Sequence, residues 1–302
     1  MEQSKLHYSV LLTETIDALN INPNGIYVDL TLGMGGHSAA VLSKLKNGKL
    51  YAFDKDDYAL EKSCIRLKSI SPNFELIKSD FKDIKSKLAE LGVYQVDGII
   101  ADLGISSPQV DQADRGFSYN KDAFLDMRMD QTQELTAYKV VNEYSEEQLS
   151  DLLWKNADVK LSHKVAKAII ANRPITNTLE LVDIIKSVYP AALLRAKNPA
   201  KAVFQALRIE VNNELASLEV MLEDALSLLK KDGVLAIITF HSIEDKIVKN
   251  FFKKQTENKV PSKMPIMEEK SFQIKQIKPS KQELEENKRS RSAKLRVIKK
   301  LI

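Results

Sequence analysis

Short apolar runs alternate with amphipathic segments between Gly25 and Ala101. Four runs are bounded by polar or turn residues and have the length of buried strands, and the three segments between them have helical periodicity. The predicted strands are IYVDLTL, KLYAFDKD, FELIKSDF and VDGIIADLG, and the predicted helices are HSAAVLSKL, DYALEKSCIRLKSI and KDIKSKLAELG. Strands that alternate with helices predict an α/β fold with a doubly wound parallel sheet.

The alternation stops after Ser107. The chain continues with PQVDQADRGFSYNKDAFLDMRMD, which is polar, rich in turn residues and longer than an ordinary connection. Long connections of this kind are usually functional, so we predict a lid loop from about residue 108. Helical periodicity then dominates as far as Ala206, and we expect Trp154 to lie in the core of this helical block.

The α/β pattern returns after the helical block. The helix NELASLEVMLEDALSLLKKDG is expected to stop at its glycine, and VLAIITF has the composition of a buried strand. We therefore predict a core made of residues 1–130 and 207–302, interrupted by a helical insert, residues 131–206, that serves substrate recognition. The biased segment KQELEENKRSRSAK is expected to be a loop.

Composition narrows the class of protein. A chain of 302 residues with 44% apolar residues can form one large domain or a domain with a smaller companion. The N-terminal region lacks the basic start and apolar stretch of a signal peptide, and no segment has the length of a membrane span. We therefore expect a cytoplasmic protein with no membrane partner. One cysteine excludes an internal disulfide, and four scattered histidines give no reason to expect a metal site.

The net charge of +4 conceals an asymmetry along the chain. Residues 246–302 contain 17 Lys and Arg against 6 Asp and Glu, so the rest of the chain is net negative. A basic C-terminal segment is suited to a polyanion such as nucleic acid. A solvated, lysine-rich surface explains the same composition equally well when charge is considered alone.

The first predicted strand is followed by a glycine-rich turn, GMGGHS. A dinucleotide-binding fingerprint would have a third glycine where Ser38 stands, and the Gly-Lys-Ser/Thr of a P-loop is missing. Asp29 precedes the turn, where its carboxylate would repel a pyrophosphate but could receive an ammonium group. The turn therefore favours a zwitterionic ligand that carries an amino acid, although a tight connection without ligand has the same glycines.

Acidic residues also follow the second and third strands. Asp54 lies about 20 residues beyond the glycines, the spacing at which an acid binds both ribose hydroxyls. Asp80 and Phe81 are suited to the amino group and the face of an adenine. Taken singly, these residues have structural explanations as a helix cap or as core. Together, a nucleoside and an amino acid without phosphate describe S-adenosyl-L-methionine.

The fourth strand leads into ADLGISSPQVD. Methylation of an exocyclic amine needs groups that accept hydrogen bonds from the amine protons, and because sulfonium is a good leaving group no strong base is required. Asp102, Ser106 and Ser107 are candidate acceptors, with turn and cap chemistry as the structural alternative. We identify no catalytic residue from the sequence.

Several stretches together resemble one bacterial family, the ribosomal RNA small-subunit methyltransferases H, formerly called MraW. They are HYSVLLTETIDAL, DLTLGMGGHS, DLGISSPQVDQADRGFSYNKDAFLDMRMD, FQALRIEVNNEL, TFHSIEDKIVKNFF and NKRSRSAKLRVI. The resemblance implies a class I S-adenosylmethionine-dependent methyltransferase fold, which is Rossmann-like. It also implies methylation of the N4 amine of a cytosine in 16S rRNA near the decoding centre, at the ribosomal P site.

The resemblance further implies which residues contact the cofactor. They are Gly35, Gly36, His37, Asp54, Phe81, Asp102 and Gln109. A contact between Asp102 and the cofactor competes with its use as an amine acceptor. Arg128 in the predicted lid is a candidate for the substrate pocket, with internal pairing as the alternative. His241 either faces the pocket or caps the helix that follows it.

Three other functions remain open from the residues alone. The first is a catalytically silent RNA-binding or assembly protein with the same fold, and the second is an amine methyltransferase that acts on DNA or protein. The third is a dinucleotide-dependent oxidoreductase, which Ser38 and Asp29 disfavour. The expected partner is 16S rRNA or the small ribosomal subunit.

Overall fold

A computed structural model describes residues 9–257 and 270–302. His7, the first residue of the stretch HYSVLLTETIDAL, and residues 258–269 of the basic C-terminal segment lie outside the described residues. The strands are β1 Ile26–Asp29, β2 Lys49–Asp54, β3 Phe74–Lys78, β4 Val96–Asp102, β5 Leu229–Thr239, β6 Phe272–Ile277 and β7 Lys294–Lys300. They form one sheet in the order β3-β2-β1-β4-β5-β7-β6, in which β7 is antiparallel to both neighbours.

Helices connect the strands and also fill the long segment between β4 and β5. They are α1 Leu12–Leu19, α2 Gly36–Leu42, α3 Asp57–Lys68, α4 Ile84–Glu90, α5 Ser107–Asp111, α6 Ala137–Glu143, α7 Glu146–Ala157, α8 Ser162–Ala171, α9 Thr178–Val188, α10 Ala191–Ala196, α11 Ala200–Asn212, α12 Glu214–Leu228, α13 Ser242–Gln255 and α14 Lys281–Glu286. In the part of the chain that the structure describes, none of them has the length and apolar character to cross a membrane.

The sheet is covered on both faces. Side chains of successive strand residues point to opposite faces, and Tyr27 and Val28 accordingly belong to different core clusters. One cluster joins the sheet to α4, α12 and α13, and the other joins it to α1, α2 and α3. The predicted doubly wound α/β fold of the class I methyltransferases is confirmed.

The predicted strands and helices before Gly104 are all present, whereas two expectations for the C-terminal part were wrong. The helix α12 ends at Leu228 and β5 starts at once, so Gly233 lies inside the strand. The pairing of β4 with β5 shifts register between Val96 and Gly98, and Asp232 has a φ of 65°, as expected of a bulge. The segment KQELEENKRSRSAK contains α14 and a 3-10 helix rather than a loop, because Ser280 caps α14 by accepting a hydrogen bond from the Glu283 N–H.

Part of the basic C-terminal segment is tied into the sheet. The two oxygens of Asp245, on α13, accept hydrogen bonds from Lys294 Nζ at 2.7 Å and Arg296 Nε at 2.6 Å. Burial opposes ionisation of Asp245, but these two cations outweigh it and lower its pKa to about 2. We call Asp245, Lys294 and Arg296 the β7 anchor. Two charges of the basic C-terminal segment therefore stabilise the fold and belong neither to a polyanion site nor to a solvated surface.

The chain divides into two compact units. The first comprises the described residues up to Gly104 and those from Ser217 onwards, and the second is Ile105–Ala216. The second unit is larger than the predicted insert of residues 131–206. Its apolar core includes Phe117, Leu125, Met127 and Met129, so much of the predicted lid is packed within this unit. The irregular spacing of these apolar residues has neither helical nor strand periodicity, which explains why the segment looked like a polar loop.

Candidate active site

Three strands of the first unit end in an aspartate. Asp29, Asp54 and Asp102 are the last residues of β1, β2 and β4, which are neighbouring parallel strands. Ligands of open α/β sheets bind at the carboxyl ends of the strands. We call these three residues the acidic edge. Within the described residues, neither Asp54 nor Asp102 has a Lys or Arg as an ion-pair partner.

Asp29 is 1% exposed, and both of its oxygens accept hydrogen bonds within the protein. One of its oxygens accepts a hydrogen bond from Ser38 Oγ at 2.7 Å, and the other accepts one from the Thr31 N–H at 3.1 Å. Burial raises the pKa of Asp29, and these hydrogen bonds partly offset the increase. Ser38, which replaces the third glycine of a dinucleotide fingerprint, therefore serves to hold Asp29. The expected contact of Asp29 with a ligand's ammonium group is replaced by a role in bracing the glycine-rich turn.

The glycine-rich turn has a conformation that other residues rarely adopt. Gly33 and Gly35 have φ values of 50° and 71°, in the left-handed region. A Cβ on Gly36 would lie 1.8 Å from Ser9 Oγ, so space is restricted on that side of the turn as well. The carbonyl of Gly33 accepts a hydrogen bond from Ser63 Oγ at 2.7 Å. The turn is therefore held close to the end of β1, with the side chains of Ser9 and Ser63 packed against it.

Asp54 links this turn to the second strand. Its carboxylate accepts hydrogen bonds from the Gly33 N–H at 2.8 Å and the Asp56 N–H at 2.9 Å, one on each oxygen. Burial raises the pKa of Asp54 to about 6, with smaller contributions from the charges of Asp56 and Asp29, and the two N–H groups partly offset the shift. A carboxylate has about four acceptor sites, so each oxygen of Asp54 can take one further hydrogen bond.

Asp102 is the least satisfied member of the acidic edge. Its backbone N–H donates to Thr31 Oγ1 at 2.5 Å, and its Oδ2 lies 3.9 Å from His37 Nδ1. Its Oδ1 is buried and has no hydrogen-bond partner among residues 9–257 and 270–302. Burial, followed by the charges of Asp29 and Glu244, raises the pKa of Asp102 well above its usual value. A buried acceptor without a partner is costly, which indicates that a ligand group supplies the partner.

His37 lies at the start of α2 with 5% of its surface exposed. Its Nε2 is 3.2 Å from the carbonyl oxygen of Val10, so this nitrogen carries the proton and donates to that carbonyl. In the neutral ring the lone pair is then on Nδ1, the nitrogen that faces Asp102. The structure thus brings together two residues that sequence spacing alone did not connect.

Asp80 and Phe81 follow the third strand as expected, but the acid has a different use. Asp80 accepts hydrogen bonds from the Lys82 N–H at 3.1 Å, Lys55 Nζ at 3.0 Å and Ser217 Oγ at 3.2 Å. These three bonds fix the 3-10 turn that begins at Phe81. Phe81 is partly buried against the sheet core. Asp80 therefore positions the aromatic ring, and its contact with an adenine amino group stays a prediction.

The remaining predicted site residues belong to the second unit. Ser106 and Gln109 form a capping box at the start of α5, in which the Ser106 N–H donates to Gln109 Oε1 at 3.0 Å. Ser107 is the first residue of α5 and is buried. Arg128 makes a bidentate ion pair with Asp126 and donates to the carbonyls of Gln131 and Gln133. These contacts give Arg128 an internal role, and its contact with a substrate stays a prediction.

Two residues near the acidic edge add to the predicted site. Glu244 was not predicted from the sequence, and His241 was left with two alternative roles. Glu244 is buried, and its Oε1 accepts hydrogen bonds from the N–H groups of Phe240 and His241. His241 caps α13, because its Nδ1 accepts from the Glu244 N–H at 3.5 Å. The pattern of a cap residue followed three positions later by Glu is the signal that predicts this arrangement. Among the described residues, no group of His, Cys, Asp and Glu could hold a metal ion.

Comparison with known proteins assigns the family. A model of the MraW methylase family matches residues 4–301. The chain belongs to this family. It is 60% identical over 296 residues to the ribosomal RNA small subunit methyltransferase H of Mycoplasmopsis agalactiae, covering 98% of this chain and 99% of that relative. The protein of the same name from Mycoplasmopsis synoviae is 58% identical, with 98% of both chains covered. That of Mycoplasmopsis pulmonis is 55% identical, covering 98% of this chain and all of the relative.

The residues of the first unit fit S-adenosyl-L-methionine, the cofactor implied by the resemblance. Asp102 Oδ1, which has no partner among the described residues, needs a donor from a ligand, and each oxygen of Asp54 can accept one more. Hydroxyl and ammonium groups supply such donors, whereas a pyrophosphate beside two uncompensated acids would be repelled. The acidic edge therefore disfavours a dinucleotide and agrees with membership of a methylase family.

Proposed function

We propose that this protein transfers a methyl group from S-adenosyl-L-methionine to the N4 amine of a cytosine in 16S rRNA, near the decoding centre of the small ribosomal subunit. Membership of the MraW methylase family supports the reaction type, and the names of the relatives support ribosomal RNA as the substrate class. The observation that carries the proposal is the acidic edge, which offers carboxylate acceptors without cations. We place the reaction in the cytoplasm.

We assign the cofactor contacts to residues that the structure positions around the ends of β1, β2 and β4. Asp54 accepts the ribose hydroxyls, Asp102 accepts a donor through its Oδ1, and Phe81 lies beside the adenine. The backbone of Gly35 and Gly36 approaches the methionine portion, and His37 stays a predicted cofactor contact. Gln109, in the second unit, stays a predicted cofactor contact.

The bound cofactor supplies an electrophilic methyl group. The chain's part of the chemistry is to hold the cytosine amine in line with that group and to accept hydrogen bonds from the amine protons. Ser106 and Ser107, directly after the segment that leaves β4, are the proposed acceptors. The cytosine must leave any base stack before its amine can be reached. The cofactor would leave as S-adenosylhomocysteine, and the methylated amine would release its extra proton to solvent, so we assign no general base.

Transfer of labelled methyl groups tests the proposal. The purified protein is incubated with labelled S-adenosyl-L-methionine and small ribosomal subunits that lack the modification, and the rRNA is digested to nucleosides. We expect the label in N4-methylcytidine. Subunits that already carry the modification are the matched control and should accept no label. Label in another nucleoside would contradict the proposed target, and binding to the subunits without any cofactor affinity would favour the silent assembly protein.

A further inference from the structure

Trp154 lies on the surface of the second unit. It is 50% exposed, whereas the two residues before it, Leu152 and Leu153, are buried. The expectation that this side chain is core was wrong, because the helical rotation that turns the two leucines inward turns the next residue outward. Tryptophan buries a large area when it finds a partner, and for that reason exposed tryptophans are frequent in binding surfaces.

One lysine contacts this tryptophan, and two more follow it closely in the sequence. Lys160 Nζ lies 5.2 Å from the centroid of the Trp154 ring, a cation–π contact. Lys164 and Lys167 follow on α8, and all three lysines are exposed. Lys164 and Lys167 are three residues apart and therefore lie on one side of that helix, whereas Lys160 precedes it. Residues 154–167 contain four lysines and one acidic residue, Asp158.

The three lysines are available to an external anion. Within residues 9–257 and 270–302, Lys160, Lys164 and Lys167 have no ion pair, whereas Lys155 on the adjacent helix is paired with Asp151 at 3.0 Å. Lysine is depleted from interfaces between proteins, which argues against a protein partner here. An aromatic ring beside unpaired cations is instead the usual arrangement for single-stranded nucleic acid.

We propose that Trp154 and the three lysines form a binding surface for single-stranded RNA, in which one unstacked base lies on the indole and the lysines contact neighbouring phosphates. Lys160 covers one face of the ring, so the base stacks on the face left exposed. An RNA duplex presents its base faces only at its ends and is a poor ligand for such a surface. This inference rests on the proposed function, because it adds an RNA contact to a protein proposed to act on rRNA. The contact lies far in the sequence from the proposed methyl-transfer residues.

Fluorescence gives a direct test, because Trp154 is the only tryptophan of the chain. Titration of the full-length protein with single-stranded oligouridylate should quench the tryptophan emission to a plateau. A duplex RNA of equal length should quench it much less. Affinity is measured independently from the anisotropy of labelled oligouridylate.

Variants separate stacking from charge. Trp154→Ala should weaken oligouridylate binding by about tenfold, and Trp154→Phe should retain most of the affinity because it keeps an aromatic face. Replacement of Lys160, Lys164 and Lys167 by Gln should weaken binding and reduce the slope of log affinity against log salt by about 2. Tyr94→Ala is the matched control, since Tyr94 is 69% exposed and belongs to the first unit, and it should leave the affinity unchanged.

Saturated binding without quenching, or unchanged affinity of Trp154→Ala, would overturn the inference. Normal methyl transfer to small subunits in either case would leave the proposed function intact. Conversely, quenching by oligouridylate together with no methyl transfer to any nucleoside would contradict the proposed function and support the RNA surface.

Discussion

The acidic edge and the β7 anchor use the same side chain in opposite ways. Asp245 in the anchor is surrounded by Lys294 and Arg296, and its pKa is lowered to about 2. Asp54 at the acidic edge has only N–H donors, and its pKa is raised to about 6. The negative charge of an aspartate that stabilises the fold is thus balanced by cations of the protein itself. An aspartate that is positioned to bind a ligand has no such cations, so its ionised form is destabilised. A ligand that donates hydrogen bonds to it can remove this destabilisation.

The largest effect is expected at the anchor. Asp245→Ala leaves the buried Arg296 without its partner and should lower the free energy of unfolding by about 3 kcal/mol. Denaturant unfolding of both proteins measures the difference. Asp151→Ala, which removes the exposed ion pair with Lys155, is the control and should change stability by less than about 0.5 kcal/mol. Similar losses in both variants would show that the anchor is no stronger than a surface pair.

Asp54→Ala should affect binding rather than folding. Loss of charge-assisted hydrogen bonds to the ribose should weaken S-adenosyl-L-methionine binding by about 10- to 100-fold in calorimetric titrations. Asp57→Ala, three residues further on in an exposed ion pair with Lys78, should bind the cofactor like the unaltered protein. Equal affinities for the two variants would remove Asp54 from the cofactor site.

The opposite pKa shifts predict losses in different pH ranges. Because the folded pKa of Asp245 is lowered, its stabilisation is present above about pH 4 and is lost as the pH falls towards 2. Because the folded pKa of Asp54 is raised, the ionised acceptor disappears as the pH falls through about 6. Cofactor affinity should therefore drop by up to about tenfold from about pH 7 to about pH 5. In Asp54→Asn this change should vanish, and a persistent slope would assign it to another group.

The smallest effect concerns the support of Asp102. Thr31→Val removes the acceptor of the Asp102 N–H and should cost about 1 kcal/mol of stability. Thr31→Ser keeps the hydroxyl and should retain most of the stability that Thr31→Val loses. Thermal unfolding in the absence of cofactor measures both, and equal midpoints for Val and Ser would show that the hydroxyl does not support Asp102.

The sequence predicted strands best where a strand is buried along most of its length. The strands β1, β2 and β4 are apolar runs, because inner parallel strands are covered on both faces. The edge strand β6, FQIKQI, is largely exposed and polar, so its composition did not distinguish it from a loop. The strand β7 contains cations whose partner, Asp245, lies far away in the sequence. A charge that is buried by a distant partner is not visible in a local pattern.

The site shows the same limit. The order of glycines, Asp54 and Phe81 along the chain followed from the topology of a parallel sheet, because each strand delivers its last residues to one edge. The hydrogen-bond partners of each aspartate could not be predicted from this topology. From the sequence, Asp29 and Asp80 are predicted ligand contacts. In the folded chain they accept hydrogen bonds from Ser38 and Ser217. Only these hydrogen bonds distinguish aspartates that support the fold from aspartates that can bind a ligand.

The position of β7 between β5 and β6 has a consequence for biosynthesis. The ribosome makes β5 long before β7, so the growing chain carries an open strand edge on β5 until Lys294–Lys300 has emerged. A chain interrupted before this strand would also leave Asp245 without its cations. A premature stop shortly before Lys294 therefore produces an aggregation-prone protein rather than a shortened enzyme.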